Sequence, residues 1–394
     1  MSFTLSKSLI SISFAMICVL GLTQINLTRL SKQQRHLIVV FFIFFLLITF
    51  SVINSENLDE AFRKLVLKLP ILFFPLALFS FLKLQSATVQ RLSFIVSYAL
   101  FLPAVVSVYN YFINKELFDD LILQSKPLPI EMGYGIYHIQ FSIILASVIL
   151  FGIITLHLMF KNRQLGLLFY SLLILVVVNM ICIHILSART GLLALYIGIV
   201  LWLISQFRSI GKKQLRWLLP LMLIVPVVLF YSSSSLRNRM KNTIEDFNVV
   251  MTHKDANDYS FALRVRAWQN AIDVIKQHPV FGTGLGDAEQ VLFNNFESVD
   301  ASIAPHNRKN PHFQLMETAV QSGLICGLLY LMIFIVAWIR YEGAWNFKLI
   351  AFAMLYFVAS CFESILERQA SDVAFVFFIA LGAAYTSIVS RTST

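Results

Sequence analysis

Two stretches organise this chain: LRVRAWQNAIDVIKQHPVFGTGLGD at 263–287 and NPHFQLMETAVQSGLICGLLYL at 310–331. Together they bound the only long portion that is not lipid-like, a portion with arginines, a glycine turn and a histidine at the head of an apolar run. Outward from them, the sequence becomes apolar runs of roughly 20 residues separated by short polar breaks, each long enough to cross a bilayer as a helix. Composition agrees, because 58% of the 394 residues are hydrophobic, only 13% are charged and 36 are phenylalanine, far outside the range of a soluble domain. The expected fold is all-α, a polytopic membrane protein with about 11–12 transmembrane helices and a large helical loop outside the membrane.

The expected spans are 9–22, 37–53, 65–82, 92–113, 136–159, 165–186, 191–205, 218–231, 313–339, 347–362 and 373–389, and a twelfth arises if the first is a broken pair. They divide the chain into an N-terminal bundle (1–231), a large loop with its own surface helix (232–311) and C-terminal helices (312–394). With so many spans, 9–22 reads as a first anchor rather than a cleaved signal. Basic residues gather in short loops at Arg29, Lys32 and Arg35, at Lys83 and Arg91, at Lys161 and Arg163, at Arg208, Lys212, Lys213 and Arg216, and at Arg340, Lys348 and Arg391. That pattern marks those loops as cytoplasmic. The acidic SENLDE at 55–60, the loop of Asp119 and Asp120 and the turn at 187–189 alternate with them and face outward. The long loop falls on the outer side too, where its own basic charge does not set orientation.

Cys18, Cys182, Cys326 and Cys361 all lie in apolar runs, where they act as small hydrophobes without metal-ligand spacing. Neither a disulfide nor a metal site is expected. The net charge of +10 is dispersed among loops, with no aromatic-basic patch of the kind that binds nucleic acid. Topology and an anionic ligand explain it better.

Within 260–277 the two arginines are two residues apart and point to nearly opposite sides of a helix. Arg264 shares an apolar stripe with Trp268, Ala271 and Ile275, whereas Arg266 lies with Gln269, Asn270 and Asp273. A guanidinium on the buried stripe needs an anion or a cavity; the competing reading is snorkelling along the membrane interface. Arg189, in the turn LSARTG, is either a substrate-facing charge at membrane depth or a surface arginine at a helix end. His184 reads as a core histidine. In Asn310-Pro311-His312, Asn at an N-cap and Pro at the first helical position place His312 in the first turn of a helix. There the helix dipole disfavours imidazolium and suits a phosphate; the bland alternative is a capping-turn histidine without chemistry. His306 lies in a loop-like setting with no helix to orient it. Gly282, Gly284 and Gly286 do not form a dinucleotide fingerprint, which requires a preceding strand, and read as a tight loop. Glu363, Glu367, Arg368 and Asp372 cluster at the outer ends of the last two helices, for pairing and positioning or for binding an acceptor.

These features resemble the O-antigen ligase and O-antigen polymerase (Wzy-like) superfamily of bacterial membrane glycosyltransferases. The resemblance rests on the many-span layout, the loop near the C-terminal third, ALRVRAW (262–268) followed by HPVFGTGLGD (278–287), and the proline-histidine opening a helix that runs into SGLICGLLYL (322–331). The closing ESILERQ (363–369) is similar as well. It is strong over roughly the last third of the chain and topological elsewhere. It implies a GT-C-like membrane enzyme of the cytoplasmic (inner) membrane, active towards the periplasm without a cofactor or metal. Such an enzyme moves a glycan from undecaprenyl diphosphate to an acceptor sugar hydroxyl, as on lipid A-core, inverting the anomeric centre. Carried over, Arg189 and Arg264 hold the diphosphate and His312 acts near the acceptor, with Arg266, Glu367 and Arg368 completing the candidate substrate-binding set. The family usually has Asn after this histidine; here Phe313 stands in its place. An O-antigen polymerase and a protein O-oligosaccharyltransferase share the donor chemistry and differ in acceptor. A polysaccharide or ion transporter, from another class, predicts charged sites near mid-membrane and paired repeats, whereas the charges here collect at the outer rim.

Overall fold

A computed structural model describes residues 7–23, 30–81, 86–123, 130, 136–186, 188–206, 231, 234–252, 256–257, 259–341 and 344–384. Within them the fold is helical: α1 Lys7–Leu22, α2 Lys32–Ile53, α3 Leu58–Leu67, α4 Leu69–Phe81, α5 Ser86–Ile113, α6 Lys115–Leu123, α7 His138–Lys161, α8 Leu167–Leu186, α9 Arg189–Gln206, α10 Ser234–Thr252, α11 Ser260–Gln277, α12 Ala288–Val299, α13 Gln314–Ser322, α14 Leu324–Trp338, α15 Phe347–Ser360 and α16 Gln369–Ala384. Helices α2, α5, α7, α8 and α9 are long and apolar enough to cross a membrane, and α14, α15, α16 and the Ser11–Gly21 part of α1 are shorter apolar helices. The expected span at 218–231 lies outside the described residues except for Tyr231.

Two expected spans are broken. The run at 65–82 divides at Lys68 into α3 and α4, because Pro70 has no N–H to continue the helix from Val66; at the break Lys68 turns inward to pair with Glu367, its Nζ 2.7 Å from Oε1. The run at 313–339 divides at Gly323 into α13 and α14, with Gly323 at φ +87°. Only α14 has the apolar composition of a span; α13 is a short helix with a polar buried face of Gln314, Glu317, Thr318 and Gln321.

Inside the bundle α9 packs between α7 and α15, α8 against α5 and α7, α4 against α1 and α16, and α14 against α2. The core is aromatic: the ring of Phe375 on α16 touches those of Phe41, Tyr330, Phe334 and Tyr356, contacts that add specific geometry to large apolar burial.

Helices α10–α12 form a cap with its own small core of Val249, Ala262, Leu263, Ala267, Phe296 and Ile303. A second cluster, Ala271, Val274, Ala288, Leu292 and Val320, joins the cap to α13. The glycine turn docks the cap on the bundle. Thr283 N and Gly284 N donate to the carbonyls of Val320 and Gln321, and Leu324 N donates to Pro279 O. On the other side Asp287 accepts from the backbone N–H groups of Glu56 and Asn57, and Gly286 N donates to Ser55 Oγ. Gly282 and Gly284 have φ +69° and +94°, the region in which glycine is favoured. The cap therefore sits over the end of α2 and the starts of α7 and α9. Lys32, Arg35, Lys161 and Lys348 lie at the opposite ends of α2, α7 and α15.

Candidate active site

The rim beneath the cap carries two adjoining chambers that share Arg264, His138, Ile139 and Ser260. The first, about 240 Å³, is lined also by Arg189, Thr190, Thr243 and Phe362. The second, about 260 Å³, is lined also by Tyr137, Lys309, Asn310, His312, Glu363 and Arg368. Residues up to 231 positions apart, from Tyr137 to Arg368, thus converge on one cleft.

Each cation is set by its element. Arg189 is the first residue of α9 and donates from Nη1 to Thr243 Oγ1 on α10. Arg264 projects from the second turn of α11 into both chambers. Its surface is partly open, but the guanidinium lies where water is scarce, and that desolvation lowers its proton affinity against the attraction of Glu363. Among the described residues it makes no hydrogen bond and no ion pair. Asp246, 1% exposed on α10, faces both Arg189 and Arg264 and accepts from Phe261 N at 3.1 Å, tying α10 to the first turn of α11. Burial raises its carboxyl above the usual range, opposed by that hydrogen bond and by the two arginines.

His312 is not in a helix. Helix α13 begins at Gln314 with Phe313 at the N-cap position, and His312 precedes it with φ +48°. Asn310 does not cap; its Nδ2 donates to Glu317 Oε1 at 3.4 Å. Left-handed backbone at a non-glycine residue is held by surrounding contacts, here by Trp268, whose Nε1 donates to Pro311 O at 2.7 Å. Phe313 packs edge-on against the same indole. His312 therefore does not lie on the helix axis as expected; its charged neighbour is Glu363, whose Oε1 is 3.7 Å from His312 Nδ1.

The structure brings Arg189, Arg264, His312 and Arg368 together and leaves Arg266 and Glu367 apart. Arg266 pairs with Asp300 at 3.1 Å on the far side of α11. Glu367 is held by Lys68 and lines neither chamber. His306 is exposed in a 3₁₀ turn, and His184 is bonded within the bundle to Met180 O and Tyr196 Oη. Sequence reasoning missed Thr243, Asp246, His138, Tyr137 and Lys309. Only Lys309, in the basic run before Pro311, had a local signal; the others arrive by tertiary packing. Among the described residues no three His, Cys, Asp or Glu side chains converge as a metal-ligand set.

With this geometry in view, two comparisons bear on identity. An uncharacterized protein of Haemophilus influenzae (strain Rd) is 27% identical over 317 residues, 79% of this chain and 73% of that protein. Residues 174–331 match a family model described as O-antigen ligase. That match takes in Arg189, Arg264 and His312 and the glycine docking loop, and ends before Glu363 and Arg368. Over residues 174–331, about two fifths of the chain, the protein is thus similar to the O-antigen ligase family.

Proposed function

We propose that this protein is an inverting glycosyltransferase that moves a glycan from undecaprenyl diphosphate to a sugar hydroxyl of an acceptor such as lipid A-core, at the periplasmic face of the bacterial inner membrane. The observation that carries the reading is Arg264, a poorly solvated guanidinium with no hydrogen bond or ion pair among the described residues, shared by two chambers. An unpaired charge in such a place is costly, and a diphosphate offers the planar bidentate partner that guanidinium favours. The basic loop ends opposite the cap support an outward-facing cleft.

In the reaction the acceptor oxygen forms a bond to the anomeric carbon while the bond from that carbon to the diphosphate oxygen breaks. The electron pair leaves with the lipid diphosphate, where Arg189 and Arg264 meet the developing charge; preorganised donors are worth most at such a point. The hydroxyl proton passes to His312 as general base, and Glu363 stabilises the resulting imidazolium. Attack from the His312 side and departure on the Arg189 side give inversion. The cations supply the charge stabilisation that a metal supplies in other glycosyltransferases.

The test is glycan transfer by purified protein, with undecaprenyl-diphosphate glycan and lipid A-core offered separately and together. Glycosylated core only when both are present supports a ligase; longer lipid-linked chains from donor alone make it a polymerase. His312→Ala should reduce kcat by about 10²–10⁴-fold, and unchanged transfer would remove His312 from the mechanism.

A further inference from the structure

We infer that the second chamber takes an acceptor glycan bearing a phosphate-type oxyanion near the reacting hydroxyl, with Lys309 and Arg368 as its binding residues. The inference rests on the first chamber holding the donor diphosphate.

Charge in the second chamber is unbalanced. Arg264, Lys309 and Arg368 line it against one carboxylate, Glu363, which is engaged with His312. Three nearby cations are by contrast paired: Arg266 with Asp300, Arg308 with Glu297 and Lys68 with Glu367. Among the described residues neither Lys309 nor Arg368 has an ion pair. Arg368 is instead laid over the ring of Tyr137, its guanidinium carbon 3.7 Å from the centroid. A cation on an aromatic face is held without using its in-plane N–H donors, which remain available for an oxyanion. Lys309 and Arg368 are exposed at the mouth of the chamber, and Lys309 lies close enough to Arg264 for the two charges to repel; an anion between these cations relieves that repulsion.

The donor does not account for this surplus, because Lys309 and Arg368 line only the second chamber, whereas Arg189 and Thr243 line only the first. A neutral sugar that covers the mouth of the second chamber would strip water from two cations without offering them a counter-charge. An acceptor with an oxyanion balances them and, by a charge-assisted contact on each side, fixes which hydroxyl faces His312. Lys309 and Arg368 thus become determinants of acceptor specificity rather than parts of the donor site.

The experiment is calorimetric titration of the full-length protein in nanodiscs with three probes: glucose, glucose 6-phosphate and inorganic pyrophosphate. Glucose 6-phosphate should bind at least about tenfold more tightly than glucose, the worth of a charge-assisted contact. The Lys309→Ala/Arg368→Ala variant should lose that difference while it still binds pyrophosphate through Arg189 and Arg264 and keeps the wild-type thermal midpoint, which reports an intact fold. Arg368→Gln, which keeps a planar group over Tyr137, should lose part of the difference. Equal binding of the two sugars, or undiminished glucose 6-phosphate binding by the double variant, overturns the inference. Failure of the wild type to bind pyrophosphate would instead strike the donor reading.

Discussion

Arg264 and Arg266 differ by half a helical turn and have opposite fates, one facing two chambers and the other held by Asp300. Arg264→Ala should lower kcat/KM for transfer by about 10²–10³-fold, as loss of a preorganised donor does; Arg264→Lys, which keeps charge without the fork, should recover only part. Arg266→Ala should leave transfer within a few-fold, and a loss equal to that of Arg264→Ala would contradict their separation. Glu317 on α13 offers a pH test. Its carboxyl is 1% exposed, accepts from Gln321 and Ser364, and is pushed up from 4.5 to about 8 by burial and then by the charge of Glu367. The folded protein thus holds a proton there that the unfolded chain has released, so this contribution to stability is complete below the unfolded value and is lost as pH rises towards about 8. Denaturation of the Glu317→Gln variant between pH 5 and 8 should show a shallower pH slope than wild type; an identical slope would rule out Glu317 as its source.

At the scale of elements, the break between α13 and α14 joins the cap to the bundle. A Cβ on Gly323 would lie 1.9 Å from Val280 O, and φ +87° disfavours any side chain. Gly323→Ala should therefore cost about 1–3 kcal/mol and loosen the cap, seen as faster proteolysis at the 278–287 turn. Gly166→Ala, where a Cβ meets nothing within 4 Å, is the control and should be silent. Trp268 couples α11 to the His312 turn through Pro311 O and the ring of Phe313. Trp268→Phe keeps the ring and loses the hydrogen bond, at about 0.5–1.5 kcal/mol; kcat should fall more than donor affinity because the base is displaced and the arginines are not.

For the whole molecule, the buried pair Lys68–Glu367 ties the α3–α4 junction to the segment between α15 and α16 that carries Glu363 and Arg368. Lys68 is 2% exposed and also donates to Leu366 O. Removing one partner of such a pair leaves an uncompensated charge, so Lys68→Ala should destabilise by about 3–5 kcal/mol, readable as a lower thermal midpoint in nanodiscs. A variant with the wild-type midpoint would show that the pair is dispensable.

The amino-acid sequence by itself determined the membrane class and the helices within eight of the expected spans, because apolar run length is a local property; its candidates Arg189, Arg264 and His312 all line the cleft beneath the cap. It read the glycine turn correctly as a tight loop but could not say against what. The break at Lys68 carried a local signal in Pro70 that the apolar run masked, whereas what Lys68 and Gly323 meet there lies far along the chain: Glu367 for the first, the Val280 carbonyl for the second. Tertiary structure alone decided that His312 sits before the helix rather than in it, with Glu363 as its neighbour. It also decided that Asp246 stands behind both arginines and that Arg368 rather than Arg266 or Glu367 reaches the cleft. The physical reason is common to all of these: periodicity specifies which side of a helix a residue occupies, whereas only packing specifies what that side meets.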